Sequence, residues 1–367
     1  MTETHPDRLY NVAIVGAGPI GLELAISFKR AGADYILFDE GQIGETFPRW
    51  PRRTEFFSTP ERIAIAGVPI PTTTQRRITG EHYLAYLRAV VEQFDLDLHT
   101  YEQVQHIDPL EGGGFRLQTK TFAGKHTYRA QYVVLASGGM ARPRRLNIPG
   151  EDLPNVTHDF EHSHAYFRRR LLVVGGRNSA VVAAPRCWRA GAQVTISYRR
   201  PAIDPERVKQ LLYDEIKTLI ERGKVGFLPC TQPQEITPAR VIFAPTDEHG
   251  EPLAGERIVH DTDFVLLQTG YAADMSLFAE AGVELIGEAQ KPVFNPETME
   301  TNIPGLYVAG TAAGGTQSEF RLFIETSHQH VFKIVKGLTG YEPPVADIPQ
   351  RNYGFFEEPE EKPASHR

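Results

Sequence analysis

The stretch LYNVAIVGAGPIGLELAISFKRAGADYILFDEG, residues 9–41, decides how this chain folds. Val12–Val15 is a short apolar run rich in β-branched residues, as in a strand buried on both faces. Leu22, Ala25, Ile26 and Lys29 then recur at helical spacing through Arg30, Gly32 closes that helix, and Tyr35–Phe38 begins a second strand. Between the first strand and the helix stands Gly16-Ala17-Gly18-Pro19-Ile20-Gly21, a G-x-G-x-x-G turn. In such a turn the first glycine allows the tight bend. The second lets the backbone approach a pyrophosphate, and the third lets the helix pack on the strand. The free N–H groups of the helix start attract the phosphates. Asp39, with Glu40 beside it, stands at the end of the second strand, where a carboxylate accepts from ribose hydroxyls. A lone glycine pattern is weak; strand, turn, helix, strand and acid together predict a dinucleotide-binding unit.

The same order returns in RRLLVVGGRNSAVVAAPRCWRAGAQVTISYRR, residues 169–200. Its turn is Gly175-Gly176-Arg177-Asn178-Ser179-Ala180, with arginine in place of the second motif glycine. Its second strand ends in Tyr198-Arg199-Arg200 with no acid. An acid there selects a free 2′-hydroxyl, whereas arginines accommodate a 2′-phosphate, so the second unit is expected to take NADPH. Pro185 is expected to kink the helix of this unit or end it early.

Outside the two units, helices are expected over 81–93, 208–221 and 320–336, with Asp204 placed to cap the second. Strands are expected over 104–107, 115–119 and 127–132. The fold class is therefore α/β, with two Rossmann-like, three-layer ββα dinucleotide-binding domains. The NADPH domain (155–270) is inserted into a discontinuous FAD domain (1–154 and 271–340). Residues 341–367, proline-rich and carrying the run EEPEE, read as a flexible or draped C-terminal tail. A length of 367 residues suits two cores. A net charge of -7 opposes wholesale nucleic-acid binding. The N-terminus lacks the basic start and apolar core of a signal peptide, and no apolar run approaches a membrane span. With only two cysteines, Cys187 and Cys230, the chain is expected to be cytoplasmic.

GAGPIG, the ASGG segment followed by Pro143 and IPGE, GGRNSA, the TGY segment and ETNIPGLYVAG resemble, in this order, two-dinucleotide flavoproteins of the thioredoxin-reductase type. TEFFSTPERIAIAGVPI, GGRNSA and RLFIE are most similar to the bacillithiol-disulfide-reductase-like family. The resemblance implies that FAD is held by Gly16, Gly18, Pro19, Ile20, Gly21, Asp39, Glu40, Thr46, Trp50, Ser58, Val104, Ala136, Ser137, Gly138, Gly310, Thr311 and Ile324. It assigns NADPH to Gly175, Gly176, Arg177, Asn178, Ser179, Ala180, Tyr198, Arg199, Arg200 and Gly270. It further implies a homodimer. The chain departs from the family at Ile20, where the subgroup usually has cysteine, and at Thr311, where many relatives have aspartate.

The expected activity is hydride transfer from NADPH to FAD and on to an acceptor, either a low-molecular-weight disulfide or a small redox protein. The reductive half needs no catalytic side chain. Three other readings stay open: a ferredoxin or flavodoxin–NADP reductase, a flavin monooxygenase and a non-enzymatic redox sensor. The monooxygenase pattern FxGxxxHxxxW/Y matches at His162 and Tyr166 but has His158 in the glycine position. His158, His162 and His164 have no cysteine or fourth ligand nearby, so no metal site is expected.

Overall fold

The computed structural model describes residues 8–73, 76–317 and 322–344; most of the expected tail, from 345 on, lies outside them. The first unit begins with β1 (Leu9–Val15), α1 (Pro19–Arg30) and β2 (Tyr35–Phe38). The short α2 (Pro60–Ile63) and α3 (Gly80–Phe94) follow, then β3 (Leu98–His99), β4 (Gln103–Pro109), β5 (Phe115–Lys120) and β6 (Lys125–Leu135). After β7 (Arg142–Pro143) come β8 (Val156–Thr157), β9 (Arg170–Val174), α4 (Asn178–Arg189), β10 (Gln193–Ser197), α5 (Gln210–Glu221) and β11 (Gly226–Leu228). Next are β12 (Thr231–Ile236), β13 (Arg240–Pro245), β14 (Ile258–Asp261), β15 (Phe264–Leu267) and β16 (Tyr271–Ala272). The described chain ends with α6 (Ser276–Glu280), the pair β17 (Leu285–Ile286) and β18 (Lys291–Pro292), β19 (Leu306–Val308) and α7 (Ile324–Thr339).

The first sheet has the order β3-β2-β1-β6-β5-β4, with β19 also paired to β6. β1, β2, β6 and β19 run parallel, and their registers bring Val15, Phe38, Leu135 and Val308 level at one edge. The carboxyl ends of these four strands therefore open into one crevice, where open α/β sheets bind ligands. β1 and β2 carry almost no polar side chains because both faces of the sheet are covered.

The second sheet, β11-β10-β9-β15-β8, is parallel throughout. Alternate residues of β9 point to opposite faces. Leu171 and Val173 pack with α4 and α5, while Leu172 and Val174 pack with Ile236, Val241 and Phe243 of the antiparallel β12-β13-β14 ribbon. That gives three layers. Between the sheets the chain passes out along β7 and back along β16, which pair antiparallel, and Arg144 N–H donates to Gly270 O at 2.9 Å.

α4 does not end early at Pro185. It runs unbroken from Asn178 to Arg189 through Pro185. Proline removes one helical bond, but Val181, Ala184 and Cys187 bury a continuous face, and that packing outweighs the loss. The 208–221 helix is α5, preceded by a 3₁₀ turn at Pro205–Arg207 whose Glu206 N–H donates to Asp204. The last helix begins at Ile324 rather than 320; residues 318–321 lie outside the described chain.

Candidate functional site

The first turn is built by close backbone packing. A Cβ on Gly16 would stand 2.5 Å from Ala136 O, and one on Gly21 would stand 1.8 Å from Gly16 O. Gly16 also has a φ of +108°, open to glycine alone at little cost. Gly18 is different: a Cβ there meets nothing within 4 Å, so the space beside it is open. No described side chain caps α1. Its first N–H groups are the unsatisfied donors that a pyrophosphate takes up.

Asp39 closes the crevice. Its carboxylate accepts from Ala17 N–H at 2.6 Å and Gly41 N–H at 2.8 Å. Burial pushes its carboxyl up, and the two N–H donors oppose that shift. Ala136 is buried at the end of β6, with Ser137 exposed and Gly138 half-buried. Across from them, Thr311 accepts from Gly139 N–H at 2.9 Å, leaving its own hydroxyl hydrogen for another partner. Gly310 lies on Ile20, which is buried, and donates its N–H to His330 Nδ1 at 3.1 Å. Burial holds His330 down to about 4, so it stays a neutral acceptor near pH 7. Its place in the sequence, near the expected flavin contacts, left it either a substrate donor or a structural role, and the bond from Gly310 is a structural one.

Thr46 precedes the Phe47–Arg49 turn, and Trp50 packs on Phe47 and Phe56 at ring distances of 5.1 and 4.8 Å. Val104 is buried on β4, two residues after Glu102, whose N–H donates to Asp39 O; Glu40 accepts from Gln103. Ser58 lies just before α2, and Ile324 opens α7.

The second turn repeats this plan with different chemistry. Gly16 N–H donates to Phe38 O and Gly175 N–H to Ser197 O, at 2.7 and 2.9 Å. Asp39 is bracketed by bonds to His99 O and from Glu102 N–H; Tyr198 is bracketed likewise by Leu228 O and Thr231 N–H. Tyr198 therefore occupies the position of Asp39. Its buried ring lies over Gly176, where a Cβ would stand 2.6 Å from it. No described side chain caps α4. Arg177 is half-buried at its start, and burial together with Arg207, Arg144 and Arg199 pushes its guanidinium below the usual range. Cations gathered so closely suit a multiply charged anion. Arg207 was not among the residues read from sequence; it joins the group because the chain turns back after Arg200. Arg199 is exposed and packs on Gly250, and Gly270, at φ +94°, ends the segment after β15. The two glycine turns thus fit two dinucleotides, the first offering a carboxylate to a ribose and the second arginines to a phosphate.

Beside Asp39 lies a partly buried ionic group. His99 Nδ1 is 3.0 Å from Glu102 and Nε2 is 3.5 Å from Asp97, while Glu102 also accepts from Thr119. Burial lowers the imidazole pKa, but the hydrogen bonds and charges of Asp97 and Glu102 outweigh it and raise His99 to about 9. That folded value lies above the ordinary 6.5. The stability it adds is present below pH 6.5 and is lost as pH rises through about 9. Stability is expected to fall over that window, by about 1–3 kcal/mol once solvent screening of the partly exposed group is allowed for. Urea denaturation across it checks this: His99→Gln should start lower and flatten the decline, and an equally steep decline in the variant would remove His99 as its cause.

Cys187 is buried in α4 and its thiol is pushed up to about 12; Cys230 lies beyond β11 in the second unit. Neither stands at the first turn. Among the described residues no group of histidines, cysteines and carboxylates could hold a metal, and no helix is long and apolar enough to cross a membrane.

Residues 13–310 match the family described as Pyridine nucleotide-disulphide oxidoreductase. The chain is 33% identical over 319 residues to the Bacilliredoxin reductase Bdr of Bacillus subtilis (strain 168), covering 86% of this chain and 94% of that one. It is similar to the solved Bacillithiol Disulfide Reductase Bdr (YpdA) from Bacillus cereus, with TM-score 0.84 and 31% identity over 91% of this chain and 99% of that one. The Staphylococcus aureus counterpart has TM-score 0.82 and 28% identity over the same shares. This chain belongs to the pyridine nucleotide-disulphide oxidoreductase family, and it is an oxidoreductase that uses FAD and NADPH.

Proposed function

We propose that this chain takes hydride from NADPH and passes its electrons, through FAD in the first crevice, to a low-molecular-weight disulfide. The observation that carries the division of labour is the exchange of Asp39 for Tyr198 at equivalent positions of the two turns. Likeness to the Bacilliredoxin reductase of Bacillus subtilis supports the disulfide acceptor. In this reading the domain limits fall near Pro154 and Gly270, although Leu146, Ile148 and Leu153 already pack on the second unit.

FAD supplies the hydride-accepting and electron-donating chemistry when bound. The chain supplies position and charge. Gly16, Gly18 and the start of α1 bind its pyrophosphate, and Asp39 accepts from ribose. Ala136–Gly138, Gly310 and Thr311 line the crevice mouth, where Thr311 has a hydroxyl hydrogen to donate. His330 holds Gly310 against Ile20. Gly175, Gly176 and the start of α4 bind the NADPH pyrophosphate, while Arg177, Arg199 and Arg200 meet the 2′-phosphate. The balance is NADPH plus one proton plus one disulfide, giving NADP⁺ and two thiols: the S–S bond breaks and two S–H bonds form.

One observation favours a second acceptor. Ile20 puts an inert aliphatic chain where a thiol relay would stand, and neither cysteine replaces it. A small redox protein such as ferredoxin takes electrons without a thiol. The test is NADPH oxidation by the purified flavoprotein with bacillithiol disulfide, ferredoxin, quinone or oxygen as sole acceptor. Sustained turnover with the disulfide upholds the first reading. Turnover with ferredoxin alone replaces it with the second.

A further inference from the structure

Two units joined by a two-stranded ribbon need another contact before one can present a nucleotide to the other at fixed distance. Interfaces between such units are small and polar, and relative motion is the default. β7 and β16 are the ribbon. A further contact is on α4, the helix that begins at the second glycine turn. Its Arg186 reaches segment 52–54 of the first unit: Nη1 lies 3.4 Å from both Arg52 O and Thr54 Oγ1, and Nη2 lies 3.3 Å from Arg53 O. Arg52 N–H reaches back to Glu161 O at 3.4 Å.

Segment 52–54 is shaped to offer these acceptors. Arg53 has φ +57°, a left-handed conformation that costs a non-glycine residue on the order of 1 kcal/mol. It is held there by its N–H to Glu81 at 2.8 Å, while Thr54 O accepts from Gly80 N–H at 3.0 Å. The segment follows directly on the Phe47–Trp50 turn, which packs on Phe56 and Tyr83. On the opposite flank, Lys209 donates its N–H to Asn178 Oδ1 at 3.0 Å, and its ammonium lies over Phe57 at 5.6 Å and Phe323 at 5.9 Å. α4 and the residue that braces its start thus each touch the first unit.

We propose that Arg186 is a positioning residue for hydride transfer, holding the unit that carries NADPH at the orientation in which its nicotinamide reaches the flavin. The proposal rests on the assignment of the two crevices given above. Hydride transfer requires reacting atoms roughly 3–3.5 Å apart, so a small rotation about the ribbon is costly. A planar guanidinium with three directed acceptors restrains that rotation more than a compact ammonium can. Arg186 acts through segment 52–54 and takes no part in the bonds that change.

The test is anaerobic rapid mixing of the FAD-loaded protein with NADPH, for wild type, Arg186→Ala, Arg186→Lys and Thr54→Val. Flavin bleaching then yields a limiting rate and an apparent Kd. In Arg186→Ala the limiting rate is expected to fall on the order of 10–100-fold. Its NADPH Kd and flavin content should stay at wild-type values. Arg186→Lys should recover part of the rate, and Thr54→Val, which removes one acceptor from the facing unit, should lose a smaller part. An unchanged or a raised limiting rate in Arg186→Ala overturns the proposal. So does a loss confined to Kd, which would place Arg186 in the coenzyme site. If Arg186→Ala does not fold, an unchanged rate in Thr54→Val overturns it alone. A wild-type protein that binds FAD but is not bleached by NADPH would sink the assignment of the crevices instead.

Discussion

Gly18→Ala is expected to give a folded protein that has lost most of its affinity for FAD, and Gly21→Ala one that holds none. The two glycines serve different ends. A methyl on Gly18 meets nothing of the protein within 4 Å, so the turn and α1 form as before. It would occupy the space through which a pyrophosphate approaches the backbone. Overpacking of that kind costs about 1–3 kcal/mol, or roughly a 10–100-fold weaker Kd. A methyl on Gly21 would stand 1.8 Å from Gly16 O, so α1 must shift off β1 and the crevice opens. Visible flavin absorbance per protein, FAD titration of the stripped protein and far-ultraviolet circular dichroism separate the cases. Gly18→Ala with wild-type flavin affinity would mean that FAD does not lie on this turn.

The second large effect concerns coenzyme choice. Replacing Arg199 and Arg200 together by alanine should raise the NADPH KM by roughly 100-fold or more, each charge-assisted contact contributing about 1.5–3 kcal/mol, and leave NADH use nearly unchanged. Adding Tyr198→Asp should then reverse the preference. Tyr198 stands where Asp39 stands in the first unit, where the carboxylate takes the N–H of Ala17 at 2.6 Å. A carboxylate at 198 would accept from Gly176 N–H and from a free 2′-hydroxyl, and would repel a 2′-phosphate. kcat/KM for NADPH and NADH across the three proteins measures this. Equal losses for both coenzymes would show that these side chains do not touch the 2′ position.

Much of the fold was legible before any coordinates. The apolar runs 12–15 and 171–174, the glycines after them and the helical spacing that follows are local signals, and both βαβ units lie where they pointed. Pro185 does not end its helix early, because the buried face that offsets a proline's local cost is not visible in sequence. The helix expected from residue 320 is described only from Ile324.

The site divides along the same line. The amino-acid order by itself determined both glycine turns and the contrast between Asp39 and Arg199–Arg200. Steric limits on backbone dihedrals and the end of a strand are properties of neighbouring residues, and neighbours are visible in a sequence. Only the tertiary structure decided that Tyr198 is the counterpart of Asp39, that Arg207 joins Arg177, and that His330 receives the N–H of Gly310. It also decided that Arg186 spans to residues 52–54, and that Glu23 and His328, 305 positions apart, form a buried pair at 2.7 Å between α1 and α7. Each of those depends on which surfaces meet when separate elements pack. Packing is settled by the burial of whole faces, and the pattern of any single segment does not reveal what its face will meet.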